Sequence, residues 1–313
     1  MNTFSSIINE SECKSILVTG CDFFSGYMIA HTILKKKGEH FHKVIVGYYM
    51  ENELVHLLKQ QGAEPVHLSI DDCDGIVKAY SKADIVIVVP PVSDDKWCEG
   101  DPCVYLHAVE KAKVKGLVLC SKINIKELGN LPHIRPLCKM EEGFGKVKDK
   151  VKVASLVRCS FHIDMLWLFR RQIAMDHQLC LSADKKARFV PVVETDGARG
   201  LYNMLVDAKF PPATYELTGP DAIDFDGVVQ SVSSAIDMDV NYNQVSREEV
   251  VEYLKTHCRL CHNVAEFIGD MLEAVSDGLL DKKTDDLRKL LGKTPMSVMD
   301  YMHKNANDFK PNN

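Results

Sequence analysis

Residues 15–37, SILVTGCDFFSGYMIAHTILKKK, constrain the fold more than any other stretch of the chain. The apolar run Ile16-Leu17-Val18 reads as a strand buried on both faces. Thr19-Gly20 ends it, Gly26 follows, and from Tyr27 onward Met28, Ile29 and Ile33 fall at helical spacing. Strand, glycine turn and helix are the first half of a dinucleotide-binding βαβ unit. There the glycines turn the backbone tightly and let it approach a pyrophosphate, which rests on the free N–H groups of the helix N-terminus. The fingerprint is incomplete. Read as G-x-x-G-x-x-G, its three positions hold Gly20, Phe23 and Gly26, with an aromatic ring where a side chain crowds the approach to phosphate. A Rossmann shell without its ligand is therefore the competing reading.

The rest of the first half keeps the alternation. Segments 43–48, 65–69, 85–89, 116–120 and 154–157 are short apolar strands. Between them, 51–61, 74–82, 104–114 and 139–150 have helical period. The pattern predicts an α/β fold with a doubly wound parallel sheet over residues 1–157. The first fourteen residues are polar and read as loose. Beyond Arg158 the rhythm changes. An apolar helix is expected over 162–175, strand-like segments at 188–193 and 214–217, and helices over 196–209, 225–236, 247–255, 263–277 and 284–291. Residues 158–313 thus read as a smaller, mainly helical lobe, with some strands returning to the sheet.

Ligands of such sheets bind at the carboxyl ends of the strands, where strand order reverses. The candidate cofactor-binding residues are therefore Gly20, Asp22, Phe23, Phe24 and Gly26 in the first turn, Tyr48 and Tyr49 after the second strand, Asp71, Pro90 and Ser121. Tyr48 or Tyr49 either stacks on adenine or packs the strand end. Asp71 either reaches adenine or opens a helix as a cap. Ser121 either faces the nicotinamide or forms a turn. His133 and His162 read as packed or surface histidines. No Arg or Lys stands in the GYYME segment, so the end of the second strand does not decide between NAD and NADP.

The composition excludes several classes. At 46% hydrophobic and 26% charged, the 313 residues describe an ordinary globular protein. A formal charge of −6 offers no basic face for direct nucleic-acid binding. No apolar stretch reaches membrane-spanning length, and the N-terminus lacks a secretory pattern. Eleven cysteines, an odd number, with many in predicted core segments (Cys120 ends a strand and Cys159 follows one), point to reduced thiols and a cytoplasmic or nuclear setting. Cys258-Arg-Leu-Cys261-His262 matches the haem-attachment pattern. That chemistry requires export, and no second ligand pair lies at zinc-finger spacing, so no metal is expected.

Taken in order, VTGCDFFSG, Lys139 with Glu142 in KMEEGF, LVRCSFHIDMLW, RFVPVVETDGARGL, YELTGPDAIDFDGVV and LLGKTPMSVMDYM resemble the NmrA-like family of atypical short-chain dehydrogenases/reductases. The resemblance implies a Rossmann domain, a smaller helical lobe, a cleft between them and a bound NAD or NADP. It also implies one of two roles. Some members are NAD(P)H-dependent reductases, here of a small carbonyl or enone substrate. Others are regulators that hold a dinucleotide with little turnover and report its redox state to a protein partner, for instance in transcriptional control. Arg135 stands where ordinary short-chain dehydrogenases carry a catalytic tyrosine. A reductase reading therefore falls on Lys139, implied to be catalytic and cofactor-binding, as proton donor directly or through water. The competing reading is a helix-surface lysine beside Glu141 or Glu142. A cofactor-free scaffold is the third expectation.

Overall fold

The computed structural model describes residues 2–10 and 14–311. A short helix, α1 (Phe4–Glu10), precedes the alternation. Then come β1 (Ser15–Val18), α2 (Phe24–Leu34), β2 (Lys43–Tyr48), α3 (Glu53–Gln60), β3 (Glu64–His67), α4 (Cys73–Tyr80) and β4 (Ile85–Val88). The series continues with α5 (Val104–Lys111), β5 (Gly116–Lys122), α6 (Ile125–Leu128), α7 (Arg135–Val147) and β6 (Val153–Cys159). After it follow β7 (Gln178–Leu181), α8 (Glu194–Val206), β8 (Thr214–Leu217), α9 (Phe225–Ile236) and β9 (Asn241–Gln244). The chain closes with α10 (Arg247–Thr256), α11 (His262–Ser276), α12 (Asp286–Leu291) and α13 (Val298–Lys304).

Seven strands form one sheet in the order β3-β2-β1-β4-β5-β6-β8. β1 pairs in parallel with both β2 and β4, β2 with β3, and β4 with β5. At the far edge Leu156 N–H donates to Ala213 at 3.1 Å and Ser160 N–H to Leu217 at 3.1 Å, equal steps along both strands and hence also parallel. This is the doubly wound Rossmann-like sheet that the alternation predicts, with its switch point between β1 and β4. Every residue of those two strands is buried, which is why Ile16–Val18 and Ile85–Val88 read as unbroken apolar runs.

Two compact units divide the chain: Met1–Arg158 with Gly197–Glu216, and Cys159–Asp196 with Leu217–Asn313. The first holds nearly all of the sheet. Within it α2 packs on α3, α4 on α5, and α5 on α7. The second is mainly helical and has a two-stranded parallel sheet, β7-β9, paired from Gln178↔Asn241 to Leu181↔Gln244. An aromatic chain forms its core. Phe161 lies edge-on to Phe189 at 5.4 Å, Phe189 is 5.0 Å from Phe225, and Phe225 stacks on Tyr242 at 5.2 Å. α9 and α13 pack against each other in the same unit.

Several segments differ from the sequence expectation. Residues 4–10 are not loose: α1 buries Phe4, Ile7 and Ile8. Thr3 caps it, its hydroxyl accepting from Ser6 N–H at 3.3 Å. The Phe4 ring lies against Gly116 at the start of β5, where a Cβ would come within 3.1 Å of it. Three apolar residues among polar ones were too short a run to show helical period. α7 starts at Arg135 rather than 139, because Pro136 in the first turn suits a helix N-terminus, where no N–H is needed. The apolar run 162–175 is not α-helical. It forms a 3₁₀ turn over Ile163–Phe169 and a π-helix over Gln172–Asp176, closed by His177 at φ +53°. The polar residues of this largely apolar run, Asp164, Arg170, Arg171 and Gln172, mark no single face, so it carries no period to fix the helix type. Residues 188–193 pair only at single bridges, His162↔Val192 and Phe189↔Ile223. No disulfide involves the ten described cysteines, and no helix among the described residues is long and apolar enough to cross a membrane.

The second unit also encloses a cluster of ionisable groups. Asp164 accepts the Glu194 N–H at 2.7 Å, His162 Nδ1 pairs with the Glu194 carboxylate, and Tyr301 bonds to Asp164. Burial, followed by the nearby Glu194 charge, pushes the Asp164 carboxyl up to about 7. Between its ordinary range and that value the folded chain keeps a proton that the unfolded chain releases. The stability this group contributes is therefore present in acid and lost as pH rises towards about 7. Asp164→Asn keeps an oxygen for the Glu194 amide. It is expected to raise Tm more at about pH 8 than at about pH 5. Equal shifts in thermal melts at both pH values would show that Asp164 does not titrate in this window. At the other end of the chain, Phe4→Ala is expected to lower unfolding stability by about 3 kcal/mol or more in urea titrations. No loss would mean that α1 does not contribute to the core.

Candidate functional site at the carboxyl end of the sheet

The β1–α2 turn keeps two of the three glycine roles. Gly20 adopts φ +65°, and a Cβ there would meet the Val89 side chain at 3.1 Å. Gly26, in the first turn of α2, lies so close to β1 that a Cβ would come within 2.1 Å of the Gly20 carbonyl oxygen. Glycine is thus required at 20 for the turn and at 26 for the close approach of helix to strand. Phe23 occupies the N-cap of α2 with φ −136° and ψ 168°, extended backbone open to any residue. The ring therefore costs nothing in conformation; only its volume bears on a ligand. It packs 5.0 Å from Phe24, and both residues are half-buried. Because Phe23 cannot accept a hydrogen bond, no side chain caps α2.

Two buried carboxylates fasten the rim of the sheet. Asp22 is 5% exposed and accepts Tyr49 N–H at 3.3 Å, Met50 N–H at 3.2 Å and the Ser93 hydroxyl. It thereby ties the glycine turn to the end of β2 and to the loop after β4. Asn52 reinforces the tie by donating to the Asp22 carbonyl at 2.7 Å. Asp94 accepts Ile70 N–H at 2.9 Å and joins the same loop to the end of β3. Burial raises the Asp22 carboxyl above its usual range, although the Ser93 hydroxyl and the backbone N–H groups pull it down. Thr19 closes the switch point: its hydroxyl donates to the Val89 carbonyl at 2.8 Å and accepts Val89 N–H at 2.8 Å.

The structure separates the two tyrosines after β2. Tyr49 is turned into the core, edge-on to Tyr105 at 5.8 Å, and offers no free face to an adenine. Tyr48 is half-buried beside His67 at 5.6 Å and is the ring that remains at the rim. Asp71 is exposed, while its neighbour Asp72 caps α4 through Gly75 N–H at 2.8 Å. Pro90 is half-buried, its carbonyl accepting Val92 N–H at 2.9 Å. His133 gives its carbonyl to the fully buried Trp97 indole at 2.8 Å.

Ser121 is buried, and its hydroxyl donates to Glu141 at 2.5 Å. The same carboxylate is held by Arg158 at 3.0 Å and 2.5 Å, and Arg158 also lies 3.5 Å from Glu216. Lys139 does not join this network. Two helical residues before Glu141 place it about 200° away around α7. There it is exposed on the side of Cys103, whose thiol donates to its carbonyl at 3.3 Å. The residues one turn before Glu141 on the Ser121 side are Leu137 and Cys138, and Leu137 is fully buried. The i, i+3/i+4 set of Glu141 holds no amine. Cys258 and Cys261 are likewise placed structurally: the Cys258 thiol donates to Leu168 at 3.2 Å, and Cys261 stands at the N-cap of α11.

These features match known structures in fold. A nucleoside-diphosphate-sugar epimerase from Staphylococcus aureus superposes with TM-score 0.75 at 16% identity, over 92% of this chain and 99% of that one. The Citrobacter sp. triphenylmethane reductase complexed with NADP(H) gives TM-score 0.75 at 20% identity, over 93% and 99%. An NADPH-dependent quinone oxidoreductase from Escherichia coli, complexed with NADPH, gives 0.72 at 17%, over 92% and 99%. No protein-family model and no curated protein matches the sequence.

Proposed function

We propose that this chain holds a nicotinamide dinucleotide, NAD(H) or NADP(H), at the carboxyl end of the sheet, with little or no turnover, in the manner of an NmrA-like redox sensor. The observation that carries the reading is the first turn: Gly20 at φ +65°, Gly26 against the Gly20 carbonyl, and an α2 N-terminus without a side-chain cap. That combination suits a diphosphate on the helix amides. Phe23 narrows the approach without straining the backbone. Solved neighbours of the same fold are described with NADP(H) or NADPH, which supports the same class of ligand.

Low turnover is supported by the side chains near Ser121. A bound nicotinamide supplies hydride chemistry; the protein must supply the proton where the acceptor needs one. Here the Ser121 hydroxyl is committed to Glu141, Glu141 is paired with the permanently charged Arg158, and Lys139 lies on another face. The competing reading, a reductase of a small carbonyl or enone, needs a donor other than a Lys139 in contact with Ser121. A regulatory protein partner completes the sensor reading.

Calorimetric titration with NAD+, NADH, NADP+ and NADPH is expected to give heat with at least one of them. No heat with any would leave a cofactor-free scaffold. In a screen against quinones, aldehydes and enones, consumption of NAD(P)H is expected to stay at the uncatalysed rate. Turnover lost in Lys139→Ala with cofactor affinity retained would instead establish a reductase that uses that lysine. Phe23→Gly is expected to tighten dinucleotide binding by about tenfold, the effect of relieving roughly 1.4 kcal/mol of crowding. Unchanged affinity would show that the ring lies clear of the diphosphate.

A further inference from the structure

The second unit contains a cavity of about 580 Å³ that belongs to none of the features above. Its wall is built from the 3₁₀ and π-helical segments after β6, from α10 and from the last described residues. A single π-helical turn inside a chain often marks a functional position, and here it runs into a left-handed His177 at φ +53°. The volume falls in the range of small-molecule sites.

The lining is specific in two ways. First, it is aromatic and ordered. Phe169, Tyr253 and His257 form a column of nearly parallel rings, at 5.5 Å and 12° and then at 4.8 Å and 14°. His257 is the exposed end of that column and lines the cavity, so a further flat ring would extend the stack. Trp167 stands at the same site, 38% exposed, with the Arg170 guanidinium 3.4 Å above its ring. Second, the lining is cationic. Arg170, Arg171 and Lys310 border the cavity against a single carboxylate, Asp308, and none of the three cations forms an ion pair with a carboxylate among the described residues. Arg170 donates to the Trp167 carbonyl at 3.0 Å, which fixes the guanidinium in place. In a protein of formal charge −6, three unpaired cations around one aromatic hollow are a local reversal of sign.

We propose that this cavity binds a planar aromatic anion, a fused or single ring bearing a carboxylate or phosphate. Its ring extends the Phe169-Tyr253-His257 column, and its acidic group is held by Arg170, Arg171 and Lys310. Arginine suits both tasks, since its planar fork stacks on aromatic faces and binds oxyanions in pairs of hydrogen bonds. The site is independent of the dinucleotide reading.

The test uses the full chain and 1-naphthoate as probe, with 1-naphthalenemethanol as its uncharged counterpart, in calorimetric titrations. 1-Naphthoate is expected to bind at least about tenfold more tightly than the alcohol, the gain of one or two charge-assisted hydrogen bonds. The Arg170→Ala/Arg171→Ala double variant is expected to remove about that factor, and so is Lys310→Glu, an exposed change that leaves the fold alone. His257→Ala is expected to weaken both probes together. Saturation with NADH is expected to leave 1-naphthoate binding unchanged. Equal affinity for the two probes, no heat with 1-naphthoate up to about 5 mM, or displacement of 1-naphthoate by NADH would each overturn the proposal.

Discussion

The approach of α2 to β1 is the contact on which the first unit depends. With Gly26 so close to the Gly20 carbonyl, helix and strand meet backbone to backbone, and no other residue fits at position 26 without moving one of them. That approach sets where the N-terminus of α2 lies relative to the strand ends. Thr19 then fixes β1 to Val89 beyond β4, across the point where strand order reverses. The burial of β1 and β4 follows from their central place in the sheet, and their apolar sequences follow from the burial.

Around this contact the rim is stitched by charge. Asp22 and Asp94 are buried, which is unfavourable for a carboxylate unless its oxygens are filled with donors. The donors come from three different loops, so the two side chains make one assembly of segments that are far apart in sequence. The same side chains leave Tyr49 and Tyr105 packed beneath them. At the next strand end, Ser121, Glu141, Arg158 and Glu216 form a second closed network. Both networks consume groups that would otherwise meet a ligand directly. For the dinucleotide proposed above, this leaves mainly main-chain amides and shape to hold it.

The fold was legible because its information is local. Apolar runs such as Ile85–Val88 declare buried strands, and glycines at 20 and 26 declare the turn. Helix α9 was readable over its whole length, since Asp224 caps it and its apolar residues keep period. The site was less legible because its information is not local. That Asp22 would reach the end of β2 depends on how two loops meet, not on either loop's residues. That Glu141 rather than Lys139 faces Ser121 depends on the phase of α7, and a displaced helix start hides the phase. The segment after β6 is illegible for a third reason: its polar residues, Asp164, Arg170, Arg171 and Gln172, mark no single face, so the sequence does not specify the number of residues per turn.

The two tryptophans divide evenly between the units. Trp97 is fully buried in the first, its indole N–H bonded to His133, whereas Trp167 in the second is partly open and lies under a guanidinium. The chain thus carries two intrinsic fluorophores in contrasting surroundings, one emitting from a dry interior and one partly in solvent. Their emission maxima and their access to a soluble quencher differ for that reason alone. Each half of the molecule can be followed by its own light during denaturation, and whether the halves melt as one body or in sequence becomes an optical measurement without any added label.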